Sequence, residues 1–283
     1  MKIVALILGL LLLCLGGLLA FGEYRWRAGT ARLVARLKQG GSAASRARFS
    51  ASQVEGLPVP VIRYFRAVLR DGQPLVRYAR VQQRGQFLVR PGKWAPFEAT
   101  QEVATQPPGF VWNASIRMAP GLAVRVRDGF ADGRGSMLAS LMGLRQLVHV
   151  EGTPDIAAGA LHRYLAEAAW FPTALLPSAG IVWTPLDDSS ARATLTAGAT
   201  TVSLDFHFDT DGLLQSVFTR ERARDVDGRS IPTPWQGRWS SYEERGGMRI
   251  PLAGEVEWLL PEGAQVYWRG RVTDIVYELA EPG

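Results

Sequence analysis

Three histidines, His149, His162 and His207, are the only imidazoles in the 283-residue chain, and no two have the His-Glu-x-x-His spacing that would set two metal ligands on one helical face. Each reads as a polar-face residue, on a strand for His149 and His207 and on a helix for His162. Asp205, Asp209 and Asp211 lack the alternation and the later Glu of a calcium loop, so with Gly212 they read as a turn. No Gly-x-Ser-x-Gly elbow is present, and the one cysteine, Cys14, lies in a hydrophobic run. Disulfide and Cys-zinc chemistry are therefore excluded within the chain, no cofactor is implied and no catalytic set stands out. Arg163 and Glu167 are four apart and pair on one helical face. That pair reads as a surface contact or, more sharply, as a cavity rim where Arg163 meets an anionic headgroup. With Tyr164, Trp170 and Phe171, and the strand residues Trp112 and Trp183, it forms the expected ligand-binding set: an aromatic wall around an apolar ligand.

These residues need elements to hold them. Leu161, Tyr164, Leu165 and Ala168 stand at i, i+3, i+4 and i+7 and predict an amphipathic helix that ends in a Trp170–Pro177 tail. The rest is mostly strand. Val202, Leu204, Phe206 and Phe208 alternate with Thr201, Ser203, Asp205 and His207, the pattern of a half-buried strand. Similar stretches near Val81–Val89, Trp94–Val103, Phe110–Met118, Leu122–Phe130, Ile181–Thr184, Ala191–Thr196, Leu214–Arg224, Trp235–Tyr242, Ile250–Leu259 and Gln265–Tyr277 bring the count to about eleven, joined by short connections. Asp132-Gly133-Arg134-Gly135 reads as a hairpin turn. A short helix opens at Leu57-Pro58-Val59-Pro60. The expected fold is α+β, mostly β: a large curved antiparallel sheet, a half-barrel, with a short N-terminal helix and an inserted helix on its concave face.

Ile3 to Phe21 carries no charge. As a helix those residues span about 28 Å, close to the hydrocarbon thickness. Tyr24 and Trp26 beside Arg25 and Arg27 suit the headgroup boundary. A cleaved signal peptide ending at Ala20-Phe21-Gly22 is the rival, and an uncleaved anchor is preferred. Leu13 before Cys14 argues against a lipoprotein signal. The expected organisation is an anchor over 1–22, a basic helix and Gly-rich linker over 23–56, and a β domain over 57–283. Of the 32 basic residues only Lys2, Lys38 and Lys93 are lysine, and they are spread with no nucleic-acid-binding signature. Anionic lipid headgroups fit the basic stretch after the apolar run better. Arg220, Arg222 and Arg224 predict a basic stripe on one strand face, either protection of a sheet edge or a lipid-docking surface.

Arg163-Tyr164-Leu165-Ala166-Glu167-Ala168-Ala169-Trp170-Phe171-Pro172-Thr173-Ala174-Leu175-Leu176-Pro177-Ser178 resembles the signature of an uncharacterised bacterial membrane-anchored family. So do Gly56-Leu57-Pro58-Val59-Pro60-Val61-Ile62-Arg63-Tyr64-Phe65, Pro234-Trp235-Gln236-Gly237 and Tyr267-Trp268-Arg269-Gly270. That resemblance implies relationship without an activity. The strand–helix–strand order is similar to the half-barrel of LolA/LolB-type lipoprotein carriers, whose concave face holds acyl chains. The expected function is a membrane-tethered binding protein for a lipid or other hydrophobic ligand. A structural or partner-binding membrane protein and a hydrolase whose residues converge only in space are the alternatives. The expected place is the bacterial inner membrane with the domain on the periplasmic side, although Arg and Lys between Arg25 and Lys38 pull the positive-inside rule the other way.

Overall fold

The computed structural model describes residues 2–40 and 47–280. Part of the Gly-rich linker expected within 23–56 lies outside the described residues. The described end of that segment is not free-standing: Phe49 is buried in the main core, and a short 3₁₀ turn, Ala51–Val54, follows with a Ser50/Gln53 capping box.

Thirteen strands form one open antiparallel sheet. β1 (Val76–Arg90), β2 (Lys93–Thr105), β3 (Pro108–Ala119), β4 (Leu122–Ala131), β5 (Arg134–Leu141) and β6 (Arg145–Glu151) make one meander. β7 (Ile181–Asp187), β8 (Ser190–Ala197), β9 (Thr200–Phe208), β10 (Leu214–Val226), β11 (Arg229–Arg245), β12 (Met248–Leu260) and β13 (Gly263–Leu279) make the other. Pairing of β1 with β13 joins them, and β6 and β7 are the edges. The count corrects the expected eleven. β5 and β6 are the pair absent from that count, although the strand expected at His149 is β6, because β6 is exposed on both faces and β5 shows no clean alternation to read.

Twist brings the two meanders round to face each other. Nine steps separate β4 from β8, and at roughly 20° per step the strand direction turns by about half a circle. The β4–β5 turn consequently meets the β8–β9 turn: a Cβ on Gly133 would sit 3.4 Å from the Cα of Gly198. Asp132 and Gly133 both have positive φ, the requirement of a tight two-residue hairpin. The Asp209 turn is held by its own side chain, which accepts from the Leu213 N–H at 2.8 Å.

The concave face is floored by a row of glycines. Gly85, Gly270 and Gly254 stand in register on β1, β13 and β12. Rings of Phe97, Trp268 and Trp239 lie where their side chains would be: a Cβ on Gly254 would fall 2.5 Å from Trp239, and one on Gly270 2.2 Å from Trp268. Each glycine thus makes room for a neighbour's aromatic ring to lie flat on the sheet.

α2 (Val59–Val68) and α3 (Pro154–Glu167) complete the core. α3 starts at Thr153, whose hydroxyl accepts from the Ile156 N–H, with Pro154 in the first turn. It lies across the concave side against β5, β9 and β10. The 3₁₀ run after it drives Trp170, Phe171, Leu175 and Leu176 into the centre, each essentially unexposed.

α1 (Lys2–Gly40) is one continuous helix. Its first half projects from the domain with every side chain exposed, and one 18-residue window there is long and apolar enough to cross a membrane. Its second half is packed on the convex face of β2, β3 and β4. Leu37 joins Tyr78, Ala104 and Val111 in a small second core, and Trp26 donates to the Asn113 side chain at 2.8 Å.

Candidate binding site on the concave face

α3 is fastened by an ion cluster that the local spacing only half reveals. Arg163 Nε donates to Glu167 Oε1 at 2.8 Å, as the i,i+4 spacing predicts. Its Nη1 donates at 2.8 Å to Asp128 Oδ2, on β4 and thirty-five residues away. The guanidinium also stacks over Trp112, 4.7 Å from the ring centre, and faces Phe110 at 5.2 Å. Gln101 donates to Glu167 Oε2 at 2.7 Å, and Trp112 donates to Gln83 at 2.8 Å. The side chains are nearly closed off, 16% exposed for Arg163 and 10% for both carboxylates. Burial raises the Glu167 pKa above the usual carboxylate range, with Arg163 and Gln101 pulling the other way. Burial opposes the charge on Arg163 as well, but Glu167 and Asp128 outweigh it and its pKa is raised.

The other expected residues lie elsewhere in the core. Tyr164 packs on Phe171 with centroids 5.6 Å apart, and Trp170 meets Trp239 edge-on at 5.2 Å. Trp183 donates its indole N–H to the Leu175 carbonyl at 2.9 Å and packs on Phe206 at 5.1 Å. The structure therefore brings Arg163, Glu167 and Trp112 together around Asp128. It seats Tyr164, Trp170 and Phe171 in the filled centre and puts Trp183 on the far meander.

A second cluster, at the β1–β2 and β12–β13 end of the concave face, went unread in the sequence. β13 carries one extra residue opposite β12, at Tyr267, so the alternation breaks there. Tyr267 stacks on Trp258 at 5.6 Å, faces Phe87 at 6.1 Å, and accepts the Trp235 indole N–H at 2.9 Å. Phe87, Trp258 and Tyr267 are only half-buried. Arg222 lays its guanidinium over Trp235 at 4.6 Å, and Arg224 follows two residues on. The recurrence of Trp-x-Gly in Trp235-Gln236-Gly237 and Trp268-Arg269-Gly270 was the available signal. It marks a ring on one strand residue and ring space two residues later.

The basic stripe is thereby relocated. β10 is interior in the sheet order, but past Phe218 its β9 side is unpaired, so the three arginines line a local edge inside the sheet. The pairing of β10 with β11 slips between Thr219 and Arg222, opposite Pro234, which has no N–H to donate. Arg222 Nη1 and Arg224 Nε are buried nitrogens without a hydrogen-bond partner. Such donors are costly to leave unmet.

His162 adds a third such atom. β9 and β10 pair only over Leu214–Phe218 and then part, leaving a groove of about 490 Å³ lined by His162, Thr201, Ser203, Thr219, Arg220 and Glu221, among others. His162 is 7% exposed, and its Nδ1 has no partner. Burial, reinforced by Arg222, lowers its pKa to about 4, against weaker help from the Ala158 and Ser203 carbonyls. Ser203 is engaged with Thr194 at 2.8 Å. Among the described residues no histidine ring hydrogen-bonds a Ser or Thr hydroxyl, and no three His, Cys, Asp or Glu residues gather as a metal site.

Residues 55–277 match a family of unknown function, DUF6920. No curated protein matches. Among solved structures, a LolA superfamily protein from Nitrosomonas europaea is similar over 77% of this chain and 92% of its own, at 9% identity and a TM-score of 0.40. A β-barrel-like protein of the DUF1849 domain from Brucella abortus is similar over 72% of this chain and 99% of its own, at 9% identity and a TM-score of 0.23.

Proposed function

From the premise that the chain belongs to DUF6920, a family of unknown function, we propose a membrane-anchored binding protein that holds an acidic amphipathic molecule, such as a lipid, at the aromatic end of its concave face. The observation that carries this reading is the meeting of half-buried Phe87, Trp258 and Tyr267 with Trp235, whose ring carries the Arg222 guanidinium; Arg222, and Arg224 two residues on, each have a buried N–H that lacks an acceptor. Aromatic faces accommodate an apolar body, and unmet guanidinium donors call for an anionic head. The centre of the half-barrel is filled by Trp170, Phe171, Leu175 and Leu176, so the ligand's place is this end and not the middle. The Arg163–Glu167–Asp128 cluster then serves as the rivet that holds α3 over the sheet.

The anchor reading draws support from Gly22. This residue is buried, and a Cβ there would lie 2.7 Å from the Met142 carbonyl and from Leu144. The junction at which a signal peptide would be cut is thus an interior contact of a continuous helix. The proposed place is the bacterial inner membrane with the domain on its outer side. Protease accessibility in spheroplasts tests that assignment.

The ligand is tested by native mass spectrometry of the full chain released from mild detergent. The expected spectrum shows a bound acidic lipid that disappears in Arg222→Ala and in Trp258→Ala. Apo protein throughout, in wild type and variants alike, would sink the reading. One observation favours a protein partner instead: the edge strand β6 exposes Leu147, Val148 and Val150. Crosslinking from β6 in cells that captures one specific protein, with no lipid retained, would move the conclusion there.

A further inference from the structure

The packed half of α1 fixes how the domain meets the bilayer. Trp26 is clamped between Asn113 and the Arg127 guanidinium, which lies 4.4 Å above its ring. Gly29 lets that guanidinium approach, since a Cβ there would be 2.6 Å from Arg127 Nη1. Leu37 packs on Tyr78, Ala104 and Val111, and Lys38 pairs with Glu278 at 3.2 Å. Contacts thus run from Gly22, at the β5–β6 turn, to Lys38 at the other end of the strands. The helix is a strut, and its apolar half leaves the domain beside Met142 and Leu144.

The β1–β2, β3–β4 and β5–β6 turns around that exit carry no acidic residue. Met142 N–H bonds to the Ala123 carbonyl at 3.0 Å, which sets the β3–β4 tip, Ala119-Pro120-Gly121-Leu122, next to the exit. All four tip residues are exposed and uncharged. Phe97 stands opposite Ile116, so the β1–β2 turn reaches as far as that tip. Around it Arg90, Lys93, Arg117 and Arg145 are exposed. The carboxylates close in sequence are already engaged, Glu98 with Arg84 and Glu23 with Arg125 and Arg27. At the opposite end of the same hairpins the β4–β5 turn balances Asp132 with Arg134. An apolar tip ringed by cations beside an emerging membrane helix matches an anionic bilayer surface.

We infer that the β1–β2 and β3–β4 tips dock on the anionic phospholipid surface of the bilayer that α1 enters, with Leu122 at the acyl boundary and Arg90, Lys93, Arg117 and Arg145 among the headgroups. This rests on the anchor reading. It orients Phe87, three residues before Arg90, toward the bilayer, so a lipid can reach the aromatic end without crossing open water.

The full chain with Cys14→Ser, and a single bimane label at Leu122→Cys, Lys93→Cys or Asp132→Cys, is reconstituted in phosphatidylcholine vesicles carrying headgroup nitroxides, with or without phosphatidylglycerol. Strong quenching at Leu122 and Lys93 with phosphatidylglycerol, weak quenching at Asp132, and loss of the Leu122 quenching when Arg90, Lys93, Arg117 and Arg145 are changed together to Gln are the expected results. Flotation of the vesicles reads the anchor separately. Floating protein with equal quenching at Leu122 and Asp132, or with quenching indifferent to phosphatidylglycerol, overturns the docking and leaves the anchor standing. Protein that does not float overturns both.

Discussion

Replacing Arg163 with Met keeps an apolar stem of similar length and removes the cation. Asp128 and Glu167 then remain, each 10% exposed, with two 2.8 Å charge-assisted hydrogen bonds gone. Breaking a buried pair by deleting one partner costs about 3–5 kcal/mol. Residual solvent access places this case near about 3 kcal/mol. Urea unfolding of the full chain in detergent micelles at pH 7, followed by tryptophan fluorescence, measures the loss. Two companion results make the reasoning specific. Converting Asp128 to Asn and Glu167 to Gln in the same variant should recover much of the loss, because no unpaired charge remains. In the single variant the deficit should also shrink as the solution is acidified. Burial already raises the Glu167 pKa, and without Arg163 it rises further; the folded state then binds the extra proton first, so stability grows as pH falls through that pKa. A loss under about 1 kcal/mol at pH 7, or a triple variant no better than the single one, would refute the idea that this cluster is a desolvated ionic rivet.

His162 supplies a pH dependence of opposite sign. Its folded pKa of about 4 lies below the ordinary 6.5, so its neutral form is accommodated above pH 6.5 and stability is lost as pH falls from there toward 4. The gap is worth about 3 kcal/mol, and His162→Gln should flatten that part of a stability-versus-pH curve measured by urea unfolding; an unchanged slope counts against it. Gly254→Ala should destabilise by about 1–3 kcal/mol, read as a lower urea midpoint, because the new methyl meets the Trp239 ring at 2.5 Å. A neutral result would mean that the ring is not held flat on the sheet.

Local pattern was enough for much of this protein. Alternation over Val202–Phe208 marked β9, the i, i+3, i+4, i+7 apolar spacing of Leu161 to Ala168 marked α3, and Asp-Gly pairs marked the turns, because each depends on neighbours a few residues away. The uncharged run from Ile3 to Phe21 likewise announced a long apolar helix. β6 escaped the strand count because an exposed edge strand needs no buried face to form, and the interior β5 because its burial does not alternate. The Arg163–Glu167 pair was legible at spacing four; Asp128 was not, since only the β3–β4 register brings it opposite Trp112. Arg222 and Tyr267 owe their positions to an extra residue in one strand of a pair, and a single strand does not reveal what its partner lacks. Docking of Trp26 and Leu37 on the convex face was equally hidden, because it required the sheet to present Asn113, Val111 and Tyr78 together. The sequence by itself determined period, turns and the apolar helix; tertiary structure decided register, sheet order and which charges are left without a partner, because those depend on contacts between residues far apart in the chain.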